Sequence, residues 1–154
     1  MELEEPGECA ALQLASVLYS VPQISVKIAK LNPEHRKMLQ YYLRFWREHR
    51  DILIDGKLHA ENPECMYSLV RAKKDGRAIV TAYADRVIEC ASYDEIIAVN
   101  ASGHKTLILK GAKGKGYVVV DCMGESLAQG SLEENLCEVA VPMSGMIFIK
   151  EREL

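Results

Sequence analysis

The segment NPEHRKMLQYYLRFWREHRD, residues 32–51, decides the fold because it holds the strongest helix signal in the chain. Asn32 is a favourable N-cap residue, Pro33 suits the first helical position, and Glu34 complements the positive end of the helix dipole. We predict a helix from residue 33 to about residue 51. Gly56 follows a few residues later, where the chain is expected to reverse.

The apolar face of this predicted helix is unusually wide. At 100° per residue the apolar side chains form one continuous arc of roughly 200°, about twice the width of a usual one-sided stripe. A helix on the outside of a single core does not need so wide a face, so the pattern predicts a helix packed between two layers. Phe45 and Trp46 are then interpreted as packing residues at that junction. The side chains on the arc are Met38, Leu39, Tyr41, Tyr42, Leu43, Phe45 and Trp46.

The region before this helix is also predicted to be helical, with one short extended piece. Residues 8–20, ECAALQLASVLYS, are apolar on nearly every side, which indicates a helix buried on most sides. Pro22 ends that helix, and Ile24 and Val26 in the stretch 21–26 favour a short buried strand.

From Glu64 onward the hydrophobic period changes to two, which indicates β-strands. Asp75-Gly76 is a strong hairpin signal between two of them. The predicted fold is mostly β with N-terminal helices (α+β): an antiparallel β-sandwich of about eight strands preceded by two helices. We place the helical segment at residues 1–56 and the sandwich at 57–154. The predicted strands are 65–72, 77–84, 86–90, 95–101, 106–111, 117–123, 135–141 and 145–151.

Composition argues against several classes of protein. The net charge is −3 and neither part is basic, so no nucleic acid or membrane partner is expected. No apolar run reaches the roughly 20 residues of a membrane span, and the acidic N-terminus differs from a signal peptide. The five cysteines are an odd number without CxxC spacing, which favours reduced thiols in a cytoplasmic protein over a disulfide framework.

The sequence selects no nucleophile or cofactor loop. The loop GAKGKGY, residues 111–117, lacks the P-loop pattern, and a β region follows it, so a turn with solvated lysines is expected. No GxSxG motif occurs, and Cys122 lies in an apolar strand pattern that is typical of an inert thiol.

The sequence also selects no metal site or carboxylate pair. His35, His49, His59 and His104 have no second ligand at metal spacing. Three pairs of acidic residues lie at turns or strand ends, where they are expected to be solvated edge charges. No catalytic, cofactor-binding or metal-binding residue is therefore assigned. The acidic pairs are Asp94-Glu95, Glu133-Glu134 and Asp85 with Glu89.

Residues 12–56 resemble the end of the catalytic barrel in melibiase-type α-galactosidases. The matching motifs are the "VLYS" helix end, the "VPQIS" strand, the "LxPEHxxML" helix start and the closing "FWxxHRD" turn. The later motifs "YxLVxA", "VxDCxGE" and "VPxSGxI" are similar to the C-terminal β-sandwich of that family. The resemblance covers nearly the whole chain.

The resemblance implies a place in a larger glycoside hydrolase. Residues 8–20 correspond to the seventh helix of a (β/α)8 barrel, VPQIS to its eighth strand and residues 33–51 to its eighth helix. The family's catalytic carboxylates belong to KWD-type and SGGGR-type motifs on earlier strands, and neither motif occurs here. Some relatives carry an acidic residue just past the eighth strand, where this sequence has Val26-Lys27. A barrel site needs several strand ends, so this chain alone is expected to be inactive.

Two hypotheses follow. The first is a non-catalytic C-terminal portion of an α-galactosidase-like hydrolase, which supports the barrel and whose parent hydrolyses terminal α-galactosides with two carboxylates and no cofactor. Because exposed apolar faces associate, we expect a homo-oligomer through residues 8–50, or a complex with a separate catalytic barrel chain. The alternative is a free-standing interaction or carbohydrate-binding module.

The purified chain is expected to release no nitrophenol from an aryl α-galactoside, because it lacks both family motifs that carry the catalytic carboxylates. Absorbance of nitrophenolate measures the rate. Turnover that stays proportional to protein concentration through repurification would contradict the expectation.

Overall fold

The computed structural model describes residues 5–151, which form an α+β structure. Its three helices are α1 (Gly7–Ala15), α2 (Pro33–Glu48) and α3 (Arg50–Leu53). Single 3-10 turns lie at Ile28–Lys30 and Pro63–Cys65. None of the described helices is long and apolar enough to cross a membrane. The ten strands within the described residues are β1 (Lys57–Glu61), β2 (Leu69–Lys74), β3 (Arg77–Ala82), β4 (Val87–Glu89), β5 (Glu95–Asn100), β6 (Thr106–Lys110), β7 (Gly116–Val120), β8 (Ser126–Ser131), β9 (Leu136–Ala140) and β10 (Met146–Lys150).

The strands form two sheets that are not purely antiparallel. The larger sheet has the order β1-β2-β3-β5-β10-β7-β8, and the smaller has the order β4-β6-β9. The β3–β5 and β4–β6 pairs are parallel, so the prediction of a purely antiparallel sandwich is wrong. The reason is that β4 lies in the smaller sheet, so the chain leaves the larger sheet after β3 and returns to it in the same direction.

The larger sheet is the middle of three layers, with the helices on one face and the smaller sheet on the other. Alternation along each strand produces this arrangement, since successive side chains point to opposite faces. On β10, Met146 packs with the helices, whereas Ile147 and Ile149 pack toward the smaller sheet. On β5, Ile97 packs with the helices and Ile96 packs toward the smaller sheet. The sheet is therefore buried on both faces at its centre.

Helix α2 begins where the sequence predicts. The side-chain oxygen of Asn32 accepts a hydrogen bond from the backbone N–H of His35 at 2.7 Å, which caps the first turn. The helix ends at Glu48, and α3 follows after one residue and ends at Leu53. The backbone N–H of Gly56 then donates to the carbonyl of Ile52 at 3.1 Å as the chain turns into β1.

Helix α2 runs diagonally over the larger sheet, from the start of the edge strand β8 toward the start of β3. Near its start, Lys37 pairs with Glu125 beside β8. Beyond its end, Asp51 of α3 pairs with Arg77 of β3 at 2.6 Å. Between these anchors the hydroxyl of Tyr42 donates to the carbonyl of Ser144 at 2.6 Å.

The wide apolar arc of α2 has two neighbours, as predicted, and both belong to this chain. Met38, Phe45 and other buried residues face the sheet. On the other side, Leu14 of α1 and Leu18 beyond its end lie beside Trp46. The indole N–H of Trp46 donates to the carbonyl of Ser20 at 2.9 Å, which holds the segment after α1 against α2.

The segment before α2 departs from the prediction. Helix α1 ends at Ala15, and turns rather than helix continue to residue 19. The predicted strand over 21–26 is absent, and Ile24 and Val21 are 36% and 64% exposed. A strand needs a neighbouring strand to satisfy its backbone, and none lies beside this segment within the described chain.

Seven of the eight predicted β-strands are confirmed within a few residues, and 65–72 begins late. Its strand starts at Leu69 because Met66 and Tyr67 adopt left-handed conformations, with φ of 54° and 59°. The hairpin at Asp75-Gly76 is confirmed, since positive φ at both residues fits a type I′ turn. The sequence missed β1 and β8, which are the two edges of the larger sheet and mostly exposed.

Removing the hydroxyl of Tyr42 should destabilise the protein, because it leaves the carbonyl of Ser144 without this partner in the core. We expect Tyr42→Phe to lower the free energy of unfolding by about 1–2 kcal/mol in urea titration. Tyr41→Phe is the matched control, since the Tyr41 hydroxyl meets only the weak acceptor Sδ of Met146 at 3.5 Å. Equal losses in the two variants would contradict the assignment.

Candidate functional site

The diagonal path of α2 leaves one corner of the larger sheet uncovered, and an open groove of about 510 Å³ lies there. The corner is formed by the start of β5, the end of β10, the start of β7 and the end of β8. Its volume falls within the range of small-molecule sites. The main lining side chains are Glu95, Val118, Gln129, Phe148 and Lys150.

The floor of this groove is apolar and braced by α2. Phe148 and Val118 are half-buried neighbours on β10 and β7. The ring of Phe148 meets the ring of Phe45 edge to face, with centroids 6.3 Å apart. His49 in turn packs on Phe45 at 4.7 Å, and burial lowers the pKa of His49. The floor of the groove is therefore supported from below by a side chain of α2.

The rim of the groove carries two acidic side chains, Glu95 and Glu151, and one basic side chain, Lys150; Glu151 pairs with Lys115. Glu95 and Lys150 lie directly opposite each other on β5 and β10. Within residues 5–151 neither side chain has an ion-pair partner. Arg77 of β3 is the neighbour of Glu95 on its other side. The guanidinium of Arg77 donates a hydrogen bond to the carboxylate of Asp51, and this bond holds the pKa of Asp51 below its usual value. The groove therefore presents a carboxylate and an ammonium side by side.

The other acidic residues considered from the sequence are separated by the fold. Asp94 packs against Gly76 at the β2–β3 hairpin, and Glu89 pairs with Lys110 at 2.9 Å on the smaller sheet. Glu133 and Glu134 are exposed between β8 and β9, and Asp85 precedes β4. No hydrogen bond or shared groove joins one of these pairs to another within the described chain, although Glu133 and Glu134 line a surface groove together with Glu138.

The four histidines lie in four different places. His35 is fully buried, and its Nε2 lies 2.6 Å from the carbonyl of Glu5. His49 packs on Phe45, whereas His59 on β1 and His104 before β6 are exposed. The part of the chain that the structure describes contains no group of three or more metal-binding side chains.

All five cysteines are free thiols. Burial raises the pKa of Cys90 to about 11 and that of Cys122 to about 12. Because the thiolate is the nucleophile, both buried thiols are unreactive at neutral pH, which fits the interpretation of Cys122 as a packing residue. Cys65 is exposed, and Cys9 and Cys137 are half-buried.

The lysine-rich loop differs from its prediction in two ways. It joins β6 of the smaller sheet to β7 of the larger, so it is a crossover between sheets and not a hairpin turn. Lys115 is only 7% exposed, donates to the carbonyl of Tyr93 and pairs with Glu151 at 3.2 Å. The prediction of solvated lysines is wrong for Lys115, whereas Lys113 is exposed. The buried lysine ties the crossover to the ends of two strands.

A second surface of interest is the segment from Val17 to Ile28. Val17, Val21, Ile24 and Ile28 are all exposed, with Ile28 at 57%. Among the described residues, no backbone N–H between 21 and 26 donates to another backbone carbonyl. An apolar stretch with free backbone groups is able to pair with a further strand. The docking segment, defined as residues 17–28, thus exposes these four apolar side chains, whereas Leu18 and Tyr19 within it pack against the core.

Comparisons of the chain with protein-family models, with curated proteins and with solved structures find no match. Function must therefore be argued from the groove and the docking segment. Sequence reasoning drew attention to Glu95 and to residues 21–26. It missed Gln129 and Lys150 because β8 was not predicted, and because a groove that spans four strands has no local signature.

Proposed function

We propose that this chain is the non-catalytic C-terminal portion of a glycoside hydrolase that resembles melibiase-type α-galactosidases. Its role is structural: it supports a (β/α)8 barrel, which performs hydrolysis of terminal α-galactosides elsewhere. The chain associates through the docking segment, either with a second copy of itself or with a separate barrel chain. The interface expected from the sequence covers residues 8–50, and the interface proposed here is the part of it at residues 17–28.

The exposed docking segment is the observation that carries this proposal. In the resemblance, VPQIS corresponds to the eighth barrel strand, whose neighbours would be other barrel strands. Within residues 5–151 no strand lies beside these residues, and Val21 and Ile24 are exposed. A partner that supplies a sheet edge would pair the free backbone groups and bury the side chains.

The rest of residues 8–50 supports the narrower interface. Helix α1 buries Ala10, Ala11 and Leu14, and α2 buries Met38 and Tyr42, within this chain. These helices have no large apolar face left for a partner. Exposed apolar side chains concentrate instead in the connection between them, and such concentrations commonly mark interaction sites.

The absence of a reactive constellation in the described residues is compatible with a supporting role. The acidic pairs considered from the sequence are separated from one another, and the buried thiols are protonated at neutral pH. In the groove, Glu95 lies beside the ammonium of Lys150 and Glu151 pairs with Lys115, whereas a glycosidase needs two facing carboxylates. The proposal assigns no catalytic residue to this chain.

Self-association through the docking segment predicts a dimer or larger assembly of the purified chain. Multi-angle light scattering across a concentration series measures the mass. The double variant Val21→Lys with Ile28→Lys should be monomeric, because two charges would have to be buried at the interface. Both side chains are exposed, so the substitutions should leave the fold intact.

The matched control is Leu136→Lys, which replaces a leucine that is 54% exposed on β9, away from the docking segment. It should assemble like the unchanged chain. A monomeric unchanged chain at high concentration would overturn self-association, and an unchanged mass in the double variant would overturn the proposed interface.

A further inference from the structure

The groove at the open corner of the larger sheet has a lining that a supporting role does not explain. Its apolar floor, Phe148 and Val118, is half-exposed although the rest of the sheet centre is covered on both faces. Its charged rim lies beyond the docking segment and shares no residue with it. We propose that this groove binds a neutral saccharide, with one pyranose ring lying on Phe148 and Val118.

The floor provides the contact that a sugar ring requires. A pyranose has one face rich in C–H groups, which packs on aromatic and aliphatic side chains as other apolar surfaces do. Phe148 is held in place by Phe45, so little side-chain freedom would be lost when a ring settles on it. Gly116 at the groove has no side chain beyond the backbone, which leaves room at one edge of the ring.

The rim provides three kinds of polar group. Glu95 offers a carboxylate that accepts hydrogen bonds, Lys150 offers an ammonium that donates, and Gln129 offers an amide that does both. Sugar hydroxyls also donate and accept, so each can find a partner here. Glu95 and Lys150 are not ion-paired with each other, so a ligand need not break a salt bridge to reach them.

The charge of the rim favours a neutral ligand. An anion drawn to Lys150 would meet the carboxylate of Glu95, which is its direct neighbour across the strands. A cation drawn to Glu95 would meet Lys150 in the same way. Glu151 adds no net charge because it pairs with Lys115 at 3.2 Å. A polyhydroxylated ring avoids both repulsions and still uses both charged groups.

A nitrogen-edited NMR titration of the ¹⁵N-labelled full chain tests the proposal, with galactose and raffinose as probes and galactitol as the acyclic comparison. We expect saturable shifts of amides in residues 116–118, 129–130 and 148–151, with a Kd of about 1 mM. Galactitol has the same number of carbon atoms as galactose but no ring, so it should cause no saturable shift.

Two exposed side chains allow the site to be tested without risk to the fold. Lys150→Ala and Gln129→Ala should each weaken binding about tenfold, because each removes a hydrogen-bonding group from the rim. Lys113→Ala is the matched control, since Lys113 is exposed but does not line the groove, and it should leave Kd unchanged.

The proposal would be overturned if neither sugar gave saturable shifts, if the shifts lay outside the groove, if galactitol bound as well as galactose, or if Lys150→Ala and Gln129→Ala bound like the unchanged chain. The result is independent of the proposed supporting role, because self-association is measured by mass and involves different residues.

Discussion

The burial of α2 against the seven-stranded sheet is the interaction on which the rest of the structure depends. The helix lies between two neighbours, and both have to be present for its wide apolar face to be covered. Met38, Phe45 and Tyr42 pack against the sheet. The hydroxyl of Tyr42 also donates a hydrogen bond to the carbonyl of Ser144. Helix α1 and the turns after it pack against the opposite side of α2, where Leu18 lies beside Trp46.

This one placement produces the two surfaces that remain available. Because α2 runs from Lys37 near Glu125 to α3 near Arg77, it covers a diagonal band and leaves a corner of the sheet open. That corner becomes the groove. Because α1 packs on the far side of α2, the connection between the two helices must pass around the outside. That connection becomes the docking segment, with its exposed Val21 and Ile28.

The two surfaces differ in chemistry, which is why they lead to different proposals. The docking segment is apolar, and its backbone N–H groups from 21 to 26 are without backbone partners among the described residues, which suits a strand or another large surface. The groove combines an apolar floor with Glu95, Lys150 and Gln129, which suits a small neutral ligand. A supporting module that also holds a sugar would have both functions on one scaffold.

Local signals predicted the parts of the fold that are stabilised locally. Asn32 and Pro33 start α2, and Asp75-Gly76 turns β2 into β3, because each signal acts through its own backbone. Apolar, β-branched segments predicted the central strands β3 and β5, which are buried on both faces and therefore do not alternate. The same signal missed β1 and β8 because edge strands face solvent and carry little apolar pattern.

The strand over 21–26 was predicted from the β-propensity of Ile24 and Val26 and from the resemblance, and neither can supply the neighbouring strand that would pair with it. The groove could not be predicted either, since Glu95, Gln129 and Lys150 come together only after four strands are in register.

Native-state hydrogen exchange tests the central role of α2 most directly. If α2 and the sheet form one cooperative unit, amides of residues 38–47 should exchange only through global unfolding, with the same free energy as amides of β3, β5 and β10. Amides of residues 21–26 should exchange far faster. Exchange of the α2 amides at low free energy, while the central strands stay protected, would contradict this account.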